Sequence, residues 1–147
     1  MLGKNHIQLG LRGHWPGEEG LEWMRENDMR YRTMAEIERD GWSVVMDRIP
    51  NEALDGPEYL YISFDIDVID PAYTPGTGTA VSAGLTPREV FRLVPALCSG
   101  NNMAGFDLVG LNPLLDPGFT TVMNSGYLLQ EGMTGITLRK QGIAYRD

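Results

Sequence analysis

Apolar positions along this chain recur with a period of two in some stretches and of three to four in others, and the two kinds of stretch alternate from end to end. That succession predicts strands interleaved with helices around a parallel sheet, an α/β chain. Residues 7–11 (Ile-Gln-Leu-Gly-Leu) read as a short strand closed by Gly13, Pro16 and Gly17, and residues 18–27 carry Leu21, Trp23 and Met24 at helical spacing. Residues 29–34 alternate apolar and polar as a half-buried strand does, which places them near a sheet edge. Helices follow over 33–39 and 42–49, interrupted at Gly41. Residues 59–64 are almost continuously apolar, the pattern of a central parallel strand covered on both faces.

The clearest helix start is Thr86-Pro87-Arg88-Glu89, with a hydroxyl cap, proline at the first helical position and glutamate three residues after the cap. Phe91, Leu93, Val94 and Leu97 supply its buried side, and Pro95 should distort its later part. Residues 103–111 read as the last strand. Val122, Gly126, Leu129, Met133 and Ile136 then lie near one stripe of a closing helix, which predicts that they face the core.

Composition narrows the functional classes. A chain of 147 residues with 42% hydrophobic and 22% charged residues is ordinary globular material. With 20 acidic against 12 basic residues the net charge is -8, which argues against nucleic acid or an anionic membrane as partner. Apolar runs such as residues 60–64 are far shorter than the roughly 20 residues of a membrane span, so the expectation is a cytoplasmic protein. The lone Cys98 cannot form an internal disulfide and sits where it would fill apolar space.

Chemistry concentrates in Ser63-Phe64-Asp65-Ile66-Asp67-Val68-Ile69-Asp70-Pro71, where an apolar strand runs into three carboxylates. In strand geometry Asp65 and Asp67 share a face, where they repel one another and are costly to desolvate unless a cation or donors compensate. A hard divalent metal is the simplest compensation, and the end of a parallel strand is where such sheets bind ligands. On spacing alone, the aspartates could equally cap the strand and its turn, as Asp70-Pro71 does.

Together with Pro75-Gly76-Thr77-Gly78 and Gly84-Leu85-Thr86, this segment resembles the third signature of the ureohydrolases, the family of arginases, agmatinases and related amidinohydrolases. Ile7 to Gly13 is similar to that family's fifth strand and Asp107 to Pro113 to its eighth. The Arg12-Gly13 turn, Thr134-Gly135-Ile136 and Arg139-Lys140 look like those of agmatinases. The resemblance implies a three-layer αβα fold of which this chain is the second half, a single partial domain over 1–147. It also implies hydrolysis of a guanidino compound, agmatine foremost, to an amine and urea by a hydroxide bridging two manganese ions. Asp65 and Asp67 would be metal ligands, while Arg12, Glu18 and Glu19 fall in the region that shapes the substrate entrance.

Departures accompany the match. Ureohydrolases run to roughly twice this length, and the histidines and aspartates of their first two signatures are not among these residues. His6 reads as a strand-entry residue and His14 as a loop residue, neither in a ligand motif. Gly110 stands where family members carry the glutamate that pairs with the substrate guanidinium, and Thr79-Ala80 stands where a proline is usual. The family sheet, ordered 2-1-3-8-7-4-5-6, makes this chain's strands the fifth to eighth, two pairs with the fourth strand missing between them. Such exposed edges imply a partner, either a complementary first-half polypeptide or further copies of the chain. Three readings stay open: a module completed by a first half, a non-catalytic scaffold subunit, and a truncated remnant.

Overall fold

The computed structural model describes residues 2–14 and 16–145, which fall into two compact units, residues 1–58 and 59–147. In the first, strand β1 (Ile7–Leu11) pairs in parallel with β2 (Arg30–Thr33), and helix α1 (Glu18–Glu26) connects them. Met24 is the buried residue of α1, whereas Trp23, expected beside it, is 57% exposed because it lies off the buried stripe. Helix α2 (Met34–Asp40) opens on a capping box in which Thr33 accepts from the Glu36 N–H and Glu36 accepts from the Thr33 N–H. The break expected at Gly41 is present, and α3 (Trp42–Ala53) follows, four residues longer than the pattern predicted. Arg32 reaches across to Glu52 with both carboxylate oxygens at 2.8 Å, tying β2 to α3.

In the second unit β3 (Leu60–Asp65) and β4 (Met103–Val109) form a parallel pair joined through α4 (Pro87–Gly100), and α5 (Thr120–Lys140) closes the chain. The strands thus form two separate parallel pairs, β1 with β2 and β3 with β4, as the family order implies. Helix α4 starts on the anticipated Thr86–Glu89 capping box with Pro87 in its first turn, and continues through Pro95 to Gly100. Cys98 is fully buried on it, and burial pushes its thiol up to about 11, so it fills space and is unreactive.

Two expectations about burial are corrected. The apolar run predicts a β3 covered on both faces, but Leu60 and Phe64 are buried while Tyr61 and Ser63 between them, and Asp65 after them, lie on the exposed side. Within this unit the helices serve the Leu60/Phe64 side, which also carries Phe106 opposite Ile62, leaving the other face open with Tyr61 57% exposed. The closing helix is also rotated from its predicted stripe. Thr121, Ser125, Leu128, Gly132 and Gly135 are buried, whereas Met133 is 60% exposed. Close approach of α4 explains this: a Cβ at Gly135 would lie 2.6 Å from the Pro95 carbonyl oxygen and 2.8 Å from the Cys98 Cβ. Small residues therefore face α4, and bulkier ones are turned outward.

The long segment between β3 and α4 is held to the unit by backbone and side-chain bonds. Asp70 N–H donates to the Leu85 carbonyl and Leu85 N–H to that of Val68, while the Asp70 carboxylate accepts from Ala72 N–H and Gly84 N–H. This is the turn-capping role expected of Asp70-Pro71. The segment holds Ala83 at φ 63°, a region that costs a residue with a Cβ roughly 1 kcal/mol. Ala83→Gly is therefore expected to stabilise the protein by a few tenths to about 1 kcal/mol, less the entropy glycine adds to the unfolded chain. Urea denaturation checks it: an unchanged or lowered midpoint would show that the left-handed turn carries no strain. Among the described residues, no helix is long and apolar enough to cross a membrane.

Candidate metal centre at the end of strand β3

Asp65 is the last residue of β3, and Asp67 lies just beyond it in a short 3-10 turn, Ile66–Val68. Asp67 is thus not on the strand, as alternation alone would place it. A different device brings the two together: the Asp65 Oδ1 accepts the Asp67 N–H at 3.2 Å, so the first aspartate caps the turn that carries the second. The Asp65 carboxyl is raised above the usual carboxylate range, first by partial burial and then by the neighbouring Asp67 charge, against the lowering effect of the Asp67 N–H. Burial is the larger of the two raising influences, and the Asp67 charge adds to it.

A sign follows for stability. A carboxyl whose folded pKa lies above its unfolded value holds its proton more tightly when folded. Asp65 therefore penalises the fold at neutral pH, and the penalty fades as pH falls through its raised pKa toward the unfolded value. Asp65→Asn, which keeps the Oδ1 acceptor, is expected to raise the melting temperature modestly at pH 7 and to match the wild type at acid pH. Equal melting curves at both pH values would show that the carboxylates are not in tension.

The Pro75–Thr79 loop returns to this point. Thr79 Oγ donates to the Asp67 Oδ2 at 2.5 Å. The loop is anchored on both sides, since Gly76 N–H donates to Thr121 Oγ at 2.8 Å and the Gly76 carbonyl accepts from Asn112 N–H at 2.8 Å. Thr77 also bridges to Leu111. Behind the loop, Asp116 is buried and accepts from the N–H groups of Thr121 and Val122 at the start of α5. Burial opposes its ionisation, but these N–H groups outweigh it and hold the carboxyl below the usual range.

On the open face of β3, one row back from Asp65, Tyr61 and Ser63 both donate their hydroxyls to Asp107 of β4, the Ser63 bond at 2.7 Å. The Tyr61 hydroxyl, followed by that of Ser63, holds the Asp107 carboxyl low, and the same bond raises Tyr61. The sequence reading missed this trio and the Thr79 bond. Alternation would have placed Tyr61 and Ser63 on the Asp65 face, but the pairing of Ser63 with Asp107 needs the parallel register.

Gly110 follows β4 directly, at φ 79°, and a Cβ there would sit 2.2 Å from the Asp65 Oδ1. The structure thus brings Asp65, Asp67 and Gly110 together. Arg12, Glu18 and Glu19 belong to the first unit, where Arg12 turns back to donate to the Gly10 carbonyl and the glutamates are exposed in the first turn of α1. His14 is exposed. His6 enters β1 with its Nδ1 buried and without a hydrogen-bond partner among the described residues.

Two adjacent carboxylates are oxygen donors of the kind a hard divalent cation takes, and their mutual repulsion is what a cation would relieve. They fit as part of a metal site. Among the described residues no group of three or more His, Cys, Asp or Glu side chains is arranged to hold a metal.

Parallel strand pairs flanked by helices make this an α/β protein, and the candidate carboxylates lie at the carboxyl end of β3. The arginase-family model matches residues 1–134, and the chain belongs to the arginase family. It is 39% identical over 116 residues to proclavaminate amidinohydrolase of Streptomyces clavuligerus, covering 78% of this chain and 36% of that one. It is 35% identical over 125 residues to mitochondrial agmatinase of Gallus gallus, covering 85% of this chain and 36% of that one. Among solved structures, formimidoylglutamase from Bacillus subtilis superposes with a TM-score of 0.88 at 26% identity, over 93% of this chain and 43% of that one. The chain thus spans less than half the length of these relatives.

Proposed function

We propose that this chain is the second-half module of a metal-dependent ureohydrolase, hydrolysing a guanidino compound to an amine and urea, with Asp65 and Asp67 as ligands. The observation that carries the reading is the juxtaposition of these two carboxylates, in electrostatic tension, at the carboxyl end of β3 in an arginase-family chain. Divalent cations, two manganese ions by family resemblance, would polarise the guanidino carbon and lower the pKa of water. Asp65 and Asp67 would hold them, Thr79 and the anchored Pro75–Thr79 loop would set the shape of the site wall, and imidazole ligands would come from polypeptide outside these residues. That complement is a first-half polypeptide, while further copies of the chain would close its open strand edges.

Agmatine is the substrate we favour, on the agmatinase-like Arg12-Gly13 turn and the Thr134–Lys140 segment. The named relatives carry different substrate names at similar identity; by the family resemblance, selection among guanidino substrates would fall to Arg12, Glu18 and Glu19. A second reading, a non-catalytic subunit, is favoured by Gly110, which offers no carboxylate to a guanidinium.

Manganese titration into isotopically labelled protein tests the assignment. Paramagnetic broadening should centre on Asp65, Asp67 and residues 75–79 and vanish in Asp67→Ala. Broadening that ignores this strand end, or survives the substitution, would overturn it.

A further inference from the structure

We propose that the outward face of α5 is an interface, and that its occupant is an amphipathic helix of the complementary first-half polypeptide. This deepens the reading above and rests on it. Helix α5 has two sides free of charge, and only one of them is filled within the unit. Thr121, Ser125, Leu128, Gly132 and Gly135 are buried, with Gly135 against Pro95 and Cys98 of α4. On the opposite side Met123, Tyr127 and Met133 are 54%, 50% and 60% exposed. A surface helix places charged residues opposite its buried stripe, whereas a helix that is apolar all round belongs in an interior. Between residues 120 and 137 Glu131 is the single charged residue, and the helical period sets it at the margin of the outward face. The stripe through Val122, Gly126, Leu129 and Met133, which the period marks as core-facing, lies on this open side.

Shape, chemistry and length each point to the same occupant. At Gly126, in the middle of the face, a Cβ would meet nothing within 4 Å, so a neighbouring helix has room to approach closely, as α4 does at Gly135. A helix also satisfies its own backbone groups, which the side of α5 cannot do for an extended segment. An uncharged face selects apolar side chains, and the far side of the incoming helix meets water, which makes it amphipathic. The Tyr127 ring is held in advance, edge-on to Phe91 of α4 with ring centroids 6.5 Å apart. The chain spans 36% of its amidinohydrolase relative and 43% of the formimidoylglutamase, so a first half is long enough to supply such a helix. A second copy fits less well, because two chains of net charge -8 would meet where residues 120–137 offer no basic group.

The test co-expresses the chain with the first-half polypeptide of a related agmatinase and follows methionine oxidation by peroxide, located by mass spectrometry. In the mixture Met123 and Met133 should oxidise as slowly as Met24, which is buried in the chain alone. Two variants address the face directly: Gly126→Leu fills the open room, and Met133→Glu adds a charge. Each should weaken association about 10-fold, read by sedimentation, while the melting temperature of the free chain does not fall. Association that leaves Met123 and Met133 oxidising at their free rates, or that both variants tolerate, would overturn the inference alone and leave the split module standing. Protection in the chain by itself, rising with its concentration, would make a second copy the occupant and also overturn it. Folded halves that do not associate at all would overturn the split module, and this inference with it.

Discussion

Gly110→Glu is expected to lower stability by about 2–3 kcal/mol and to bring no gain in guanidine chemistry, although by family resemblance it restores a substrate anchor. Two costs combine. The backbone at Gly110 stands at φ 79°, where a residue with a Cβ is penalised by roughly 1–2 kcal/mol. The added Cβ would also meet Asp65 Oδ1 at 2.2 Å, so the Asp65 carboxylate must rotate away and give up the Asp67 N–H, a loss of about 1 kcal/mol. Since both costs arise at the Cβ, Gly110→Ala should show nearly the full effect in urea denaturation. It should also disturb manganese broadening at Asp65 as strongly as Gly110→Glu does. If Gly110→Glu were as stable as the wild type, the strand end could rebuild around a side chain, and loss of the anchor would be a simple deletion. The geometry describes something else: a strand end settled around glycine, with Asp65 occupying the room a side chain would need.

The second large effect is expected at Gly76. A Cβ there would lie 2.5 Å from the Asp116 Cβ and 2.9 Å from the Thr121 Oγ. Neither neighbour is the loose end of a flexible chain, because Asp116 is buried and bonded to the start of α5 and Thr121 is buried on that helix. Gly76→Ala must push the loop off α5, breaking the Gly76–Thr121 bond, at a cost of about 2–3 kcal/mol. Chemical denaturation measures that cost. The displacement also carries Thr79 away from Asp67, so manganese affinity should fall along with stability. A stable Gly76→Ala protein with unchanged affinity would show that the loop is not anchored through this contact.

The Thr86–Glu89 cap and the break at Gly41 were readable because local chemistry decides them. Strand positions were readable from period, and the two parallel pairs from the family order. The α5 stripe was misplaced because hydrophobicity was read without the α4 partner, whose closeness demands glycine at Gly135 and leaves Leu129 and Met133 turned outward. The nearly continuous apolar run of β3 implied two covered faces, but Tyr61 and Ser63 face outward and bond Asp107 across the strands.

At the site, the pairing of Asp65 with Asp67 was legible from two residues of spacing, though its cause was not. Alternation would have aligned the side chains on a strand. The structure instead aligns them through a cap, which requires a turn that no periodicity reports. Thr79 and Asp67 are twelve positions apart and meet only because the loop closes, and the steric meaning of Gly110 needs the Asp65 oxygen in place.

The most direct test of the central claim is urea release from agmatine by the purified chain with manganese, alone and with a first-half polypeptide from a related agmatinase. Urea is expected only from the mixture, and none when Asp67→Ala replaces the wild-type chain. A folded, manganese-bound mixture that releases no urea, or one that releases as much with Asp67→Ala, would contradict it.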